Sequence, residues 1–179
     1  DRITRMASQM TAAIKKASEN TQITASVAAY VGSGSLNTAP AAVQNKAWQD
    51  HLANTAANVQ SLAAKGTVSP EAIAEAKQTA DEDFFTKANY VPPEVRAQMS
   101  GPLNGELVGK DGVVSPHALA SIPAYADLKK KSATTAKQFL SPEAQVLAEA
   151  VLDASAGNPD AMKRAVSDMW VSGLGGTFR

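Results

Sequence analysis

The sequence contains no cysteine, which excludes disulfide bonds and thiol chemistry. Aromatic residues make up 5% of the 179 residues, and histidine occurs only twice. Basic and acidic residues are equal in number, 17 each, and leave a formal net charge of zero. This balance gives no electrostatic signal for nucleic acid or for a strongly charged partner. No apolar run approaches the ~18 residues of a membrane-spanning helix, so no transmembrane segment is expected.

Alanine is abundant, with 35 of the 179 residues. It favours helix but adds little buried area. We therefore expect helices that form readily, a thin core, and some apolar surface that is left for a partner. The length suits one domain or two small helical subdomains.

Apolar residues near the N terminus recur at three- and four-residue steps, which places them on one face of a helix. This first stripe consists of Ile3, Met6, Met10, Ala13 and Ala17. A second stripe consists of Ile23, Val27, Tyr30 and Val31. Asn20-Thr21 between them either bends one helix or separates two. Gly32-Ser33-Gly34-Ser35 then predicts a flexible turn.

Two further helices are predicted before residue 90. The first spans about Ala41 to Ala64 and ends at Lys65-Gly66, a cation followed by a glycine stop. Its apolar face contains Trp48, Leu52, Ala56, Val59 and Leu62. The second begins at Ser69-Pro70-Glu71. It ends near Asn89, because Pro92-Pro93 disfavours helix in the residue before it.

The segment from Tyr90 to Gly112 holds three of the nine prolines and four of the eleven glycines. It predicts a loop region with a short helix around Glu94 to Ser100. A turn signal at 110–112 allows a short β-hairpin through Leu103 to Val114. Two helices then close the chain as a helical hairpin. One runs from Ser141-Pro142 to a stop at Gly157, and the other runs from Asn158-Pro159 to a stop at Gly173.

The frame Ser-Pro-x-Ala occurs three times, beginning at Ser69, Ser115 and Ser141. Serine suits the N-cap of a helix, and proline suits its first position, where the missing N–H costs nothing. The spacings between the three frames are unequal. We therefore interpret them as recurrent helix starts rather than as a repeat protein.

Together these patterns predict an all-α fold, an irregular bundle or array of about six to eight helices with a Pro/Gly-rich loop region near 90–114. We expect an N-terminal helical subdomain at 1–89, a connector at 90–114 and a C-terminal helical subdomain at 115–179. Helical periodicity begins directly at Asp1, without an initiating Met or a cap. We therefore expect a piece of a longer chain.

Histidines and acidic clusters give little sign of a metal site. His51 and His117 have no second ligand at helical spacing. A solvated side chain is expected at His51, and His117, in the first turn of a helix, is given no role. Asp81-Glu82-Asp83 lacks the alternating oxygen ligands and central glycine of a calcium loop, and it predicts a solvated helix face. No metal or cofactor is expected.

Other motifs are equally weak. Lys129-Lys130-Lys131 lacks the interleaved aromatics of a lipid or nucleic-acid patch. The glycine runs at 32–34 and 173–176 lack the Gly-Lys-Ser/Thr that closes a phosphate loop. We assign no catalytic residue and expect no enzyme. A single catalytic Glu, as in glycan cleavage, stays open because no Glu has a distinctive setting.

The aromatic side chains hold much of the capacity of the chain to bury large area, and most are expected in the core. Trp170 lies near the predicted C-terminal stop and is the first candidate for contact with a partner protein. Phe85 and Tyr90 are the further candidates.

The stretch from Asp83 to Arg179, about half of the chain, resembles the middle of large internal virion proteins of short-tailed bacteriophages. The resemblance lies in Phe84-Phe85 followed by Asn89-Tyr90-Val91-Pro92-Pro93-Glu94-Val95, in Leu140-Ser141-Pro142-Glu143, and in Gly157-Asn158-Pro159-Asp160-Ala161-Met162. These motifs are signals for the starts and ends of helices, so no functional residue is carried over from the family.

The resemblance implies a structural role in a core or DNA-ejection assembly, with contacts to copies of itself or to other virion proteins. It also implies a place inside the virion and ejection into the host cell envelope. Two alternatives stay open. One is a secreted bacterial effector or adaptor that binds a protein through an apolar patch, and the other is a peptidoglycan-cleaving domain that uses a single Glu.

Overall fold

The computed structural model describes residues 2–64, 68–104, 107–108 and 113–171. Within these ranges the chain forms eight α-helices and one short 3-10 turn, which confirms the all-α prediction. The helices are α1 (Arg2–Gly32), α2 (Ala41–Ala64), α3 (Pro70–Ala88), α4 (Pro93–Asn104), α5 (Pro116–Lys131), α6 (Ala133–Phe139), α7 (Pro142–Ser155) and α8 (Pro159–Val171). The 3-10 turn is Leu36–Thr38. No described helix combines the length and the apolarity that crossing a membrane requires.

The contacts of the chain divide it into two units, Asp1–Tyr90 and Val91–Arg179. The expected connector at 90–114 contains α4, a helix of 12 residues. This helix packs on α5, α6 and α7, and so belongs to the second unit.

In the first unit, α1 is one continuous helix, so Asn20-Thr21 does not end it. The hydroxyl of Thr21 donates to the carbonyl of Ala17, which accommodates the threonine within the helix. Only the second stripe of α1 packs, partly buried, against the core of this unit. That core consists of Leu36, Ala39, Val43, Ala47, Ala88 and Tyr90. Full burial of a side chain such as Leu36 contributes about 1.5–3 kcal/mol.

The turn after α1 depends on Gly34, which has a positive φ of 65°. A Cβ atom at this position would lie 3.3 Å from the carbonyl oxygen of Lys87, near the end of α3. Glycine is therefore favoured at position 34 for two reasons: the backbone has a positive φ, and a neighbouring backbone approaches closely.

In the second unit, α4 to α8 surround a core of aliphatic and aromatic side chains. Buried members are Leu103, Ile122, Tyr125, Leu128, Phe139, Leu140, Leu147, Val151, Met162 and Val166. The α7–α8 connection contains two residues of positive φ, Ala156 and Gly157, and joins the two helices that the sequence predicts as a hairpin.

The predicted helix starts differ in their capping hydrogen bonds. The hydroxyls of Ser69 and Ser141 accept from the N–H of Ala72 and Ala144, as N-caps do. Ser115 precedes α5 but its side chain makes no capping hydrogen bond. At α8 the side chain of Asn158 accepts from two backbone N–H groups.

The hairpin expected through Leu103 to Val114 is wrong at its first residue, because Leu103 lies in α4. Helix continues through Gly101 and Pro102, where the sequence predicts a loop. Among the described residues, the pairing is one isolated antiparallel bridge between Val108 and Val114. The predicted turn at 110–112 lies outside the described residues.

Candidate functional site

The first half of α1 forms an exposed apolar surface. Every residue from 4 to 22 is exposed. Met6, Met10 and Ile14 recur at four-residue steps and are 54%, 64% and 67% exposed. Their spacing places them on one face of the helix. We call these three side chains the α1 stripe.

The α1 stripe does not continue the packed stripe of the same helix. At 100° per residue, the mean direction of the α1 stripe differs by roughly 100° from that of Ile23, Val27, Tyr30 and Val31. The six-residue step from Ala17 to Ile23 accounts for this change of phase. The α1 stripe is therefore a separate face, and packing of the first unit leaves it in solvent.

The charge of this exposed half-helix is basic. Between residues 4 and 22 the charged side chains are Arg5, Lys15, Lys16 and Glu19, three basic and one acidic. All four lie well away from the α1 stripe around the helix, as in an amphipathic helix. Lys15 and Glu19 form an exposed i,i+4 pair at 3.9 Å.

His51 is part of a polar and aromatic cluster, which corrects the expectation of a solvated side chain. Its Nε2 atom lies 2.7 Å from Oδ1 of Asp81, and the two side chains are only 12% and 22% exposed. The imidazole stacks on Phe84, with ring centroids 4.5 Å apart, and on Trp48, at 5.2 Å. Asp81 is therefore an exception to the solvated acidic face that was predicted for 81–83.

The geometry of this cluster does not suit nucleophilic catalysis. The hydroxyl of Thr55 also lies near Nε2 of His51, at 3.5 Å. A relay from hydroxyl to carboxylate needs the two partners on different ring nitrogens. Here Thr55 and Asp81 meet the same nitrogen, so the cluster joins α2 to α3 and does not activate an oxygen.

A second polar cluster joins α5 to α7. Tyr125 donates to Oε1 of Glu149 at 2.7 Å, and Nζ of Lys129 lies 2.5 Å from the same oxygen. The hydrogen bond from Lys129, assisted by the one from Tyr125, lowers the pKa of Glu149. Burial, assisted by Glu149, raises the pKa of the Tyr125 phenol. Lys129 thus forms an ion pair with Glu149, and Lys130 forms one with Asp127 at 3.0 Å.

Glu71 and Glu149 give no support for the catalytic alternative. A general acid in glycan cleavage needs a raised pKa. The pKa of Glu149 is lowered. At Glu71, hydrogen bonds from its own backbone and from Ser69 also lower the pKa. In the part of the chain that the structure describes, no group of three or more metal-ligating side chains comes together.

The three residues predicted to contact a partner have different positions. Phe85 and Tyr90 are buried in the first unit, so in this fold their rings are covered by the chain itself. Phe85 packs beside Trp48, with ring centroids 5.8 Å apart. The backbone of Trp170 lies in α8, and its side chain lies outside the described residues. His117 is exposed in the first turn of α5.

Sequence reasoning did not identify the α1 stripe as a candidate surface. Its periodicity was visible, but periodicity shows a common face and not whether anything covers it. No family model matches the sequence, and neither a curated protein nor a solved structure matches the chain.

Proposed function

We propose that this chain is a structural, non-catalytic segment of a phage internal virion protein. In this proposal it assembles with other polypeptides in the core or DNA-ejection assembly. The observation that carries the proposal is the exposed first half of α1. In proteins most of the stability of a helix comes from packing its apolar face, and this half of α1 leaves its apolar face in solvent. The resemblance of residues 83–179 to internal virion proteins supplies the biological setting.

The polar clusters support a non-catalytic role. Among the described residues, His51, Asp81, Tyr125 and Glu149 each join one helix to another. These side chains therefore make their hydrogen bonds between helices of the same unit. In this proposal the chain resides inside the virion and enters the host envelope with its assembly.

Self-association is the direct test. Sedimentation velocity and native mass spectrometry over a wide range of concentration are expected to show oligomers that grow with concentration, including rings of defined stoichiometry. A strict monomer at every concentration would overturn the proposal.

Two further measurements address the alternatives. An effector or adaptor would capture one heterologous protein from host lysate and remain monomeric alone. A peptidoglycan-cleaving domain would clear a cell-wall gel in zymography, and clearing that is lost in a single Glu→Gln variant would replace our proposal.

A further inference from the structure

We infer that Met6 and Met10 form a peroxide-sensitive modification site, at which oxidation of the two thioethers to sulfoxides makes the α1 stripe polar. The inference goes beyond the proposed function, because it assigns a chemical change to this surface whatever the surface contacts. Three features carry it. They are the exposure of these two side chains, the protection of the other methionines, and the share of the stripe that the two supply.

Met6 and Met10 are the most accessible sulfur-bearing side chains of the protein. The chain contains five methionines, all within the described ranges, and no cysteine. No thiol therefore competes with the thioethers for an oxidant. Met6 is 54% and Met10 is 64% exposed, so a small oxidant in water reaches both without any opening of the fold.

Packing covers the other three methionines. Met162 is 4% exposed and lies in the core of the second unit. Met99, on α4, is partly buried, and its sulfur accepts a hydrogen bond from the hydroxyl of Ser121 at 3.7 Å. Met169, on α8, is also partly buried. Oxidation of Met162 therefore needs a local opening of the helices around it, which costs free energy.

The reaction is a two-electron oxidation by a peroxide. The thioether sulfur attacks one oxygen of hydrogen peroxide, so that a sulfur–oxygen bond forms and the oxygen–oxygen bond breaks. The displaced hydroxide takes the proton of the transferred oxygen, and the products are the sulfoxide and water. Sulfur is oxidised and the peroxide is reduced, without a catalytic group from the protein.

Oxidation at both positions changes the character of the α1 stripe. Met6 and Met10 are two of its three side chains, and a sulfoxide is polar where the thioether was apolar. Ile14 alone keeps its apolar side chain. None of the six core residues of the first unit is a methionine. Oxidation therefore removes an apolar surface without removing a contact from that core.

The consequence for assembly rests on the proposed function. An apolar stripe stabilises a contact between polypeptides by leaving water, and two sulfoxides remove most of that gain. Reduced chains are therefore expected to associate, and chains oxidised at Met6 and Met10 are expected to stay separate. Methionine sulfoxide reductases, one for each epimer of the sulfoxide, reverse the change.

The test compares the whole chain with two variants in dilute hydrogen peroxide. Met6→Leu with Met10→Leu keeps the stripe apolar and removes both sulfurs. Met162→Leu removes the buried sulfur and is the matched control. Peptide mass spectrometry measures the rate of oxidation at each methionine, and retention on a hydrophobic-interaction column measures the exposed apolar surface. Circular dichroism confirms that each sample is folded.

We expect Met6 and Met10 to oxidise at least about tenfold faster than Met162, which reacts only through opening of the fold. Retention should fall as these two residues are oxidised, both in the wild type and in M162L, and should hold in M6L/M10L. Oxidation of Met162 at the same rate, or an equal loss of retention in M6L/M10L, would overturn the inference.

Sedimentation velocity separates this inference from the proposed function. Wild-type oligomers should dissociate when Met6 and Met10 are oxidised and form again after treatment with the reductases, whereas M6L/M10L should keep its oligomers in peroxide. Oligomers that persist after complete oxidation of both residues would overturn the inferred control of assembly and leave self-assembly as the function. A wild type that is monomeric throughout would overturn the proposed function alone, because the oxidation rates do not depend on it.

Discussion

The Nε2 atom of His51 lies 2.7 Å from Oδ1 of Asp81, and this contact joins α2 to α3 between residues 30 positions apart. Aromatic rings flank the pair, so it is better shielded than the surface pair of Lys46 and Asp50, whose side chains are 41% and 43% exposed. Shielding from water strengthens a polar contact.

A double-mutant cycle on this pair is the first prediction. The variants His51→Ala and Asp81→Ala, alone and together, are expected to show a coupling of about 1 kcal/mol in urea unfolding. The matching cycle on Lys46 and Asp50 should give no more than about 0.5 kcal/mol. Equal couplings for the two pairs would mean that shielding of the histidine has no energetic effect.

Helix capping gives the second prediction. Ser69→Ala and Ser141→Ala are each expected to lower the free energy of unfolding by about 1 kcal/mol, because each removes an acceptor for a free N–H. Ser115→Ala is the control from the same sequence frame and should cost much less, since its side chain makes no capping bond. Thermal unfolding of the three variants measures this, and equal losses would contradict the structure.

The turn after α1 gives the third prediction. Gly34→Ala is expected to destabilise the first unit by about 1–2 kcal/mol, because alanine disfavours positive φ and its Cβ would crowd the carbonyl of Lys87. Gly32→Ala is the matched control. Its Cβ meets no atom within 4 Å, so this change should be neutral or stabilising. Chemical unfolding compares the two, and a loss in G32A as large as that in G34A would be inconsistent with this account.

The cluster of Tyr125, Lys129 and Glu149 gives the fourth prediction, a dependence of stability on pH. The lowered pKa of Glu149 adds stability above the ordinary Glu value of ~4.3, and this is lost as acid protonates the folded state. The raised pKa of Tyr125 adds stability below the ordinary Tyr value of ~10, and this is lost as the pH rises beyond it. The gain at Glu149 is small because its side chain is 38% exposed.

Two variants separate these effects. Glu149→Gln should flatten the acidic limb of the stability curve, whereas Asp153→Asn, an exposed change on the same helix, should alter it little. Tyr125→Phe should remove from the ultraviolet titration the tyrosinate that forms well above pH 10. A titration curve unchanged in Y125F would refute the assignment.

Much of the secondary structure could be predicted, because helix boundaries depend on local signals. The predicted span of α2 agrees with the structure, and Ser69, Ser141 and Asn158 mark the starts of α3, α7 and α8. Each start combines a side-chain acceptor with a proline whose missing N–H is harmless there. The whole signal lies within a few consecutive residues, so it can be read from the sequence.

The short helix α6 could not be predicted in the same way. It has only seven residues, too few for a periodic apolar pattern. Its one clear local signal is Ser132, whose side chain accepts from the N–H of Thr135. That signal is easily missed without a following proline.

The candidate site was harder to predict because it depends on what lies nearby in space. The sequence places Asp50 beside His51, but the actual partner is Asp81 on another helix. Phe85 and Tyr90 are of the aromatic type that is common in protein–protein contacts, yet both lie in the core. Met6, Met10 and Ile14 have the spacing of a core stripe yet lie in solvent. In each case the deciding factor is tertiary packing, which local pattern does not encode.

The α4 helix also holds the corner between α6 and α7 through polar groups. The side chains of Arg96, Ser100 and Asn104, four residues apart, hydrogen-bond to Gln138 and Ser141 at that corner. These bonds fix the direction in which the chain turns there without relying on the fit of aliphatic side chains. Exchanging one buried aliphatic residue for another in this unit should therefore loosen its interior, while α7 keeps its present direction after the corner.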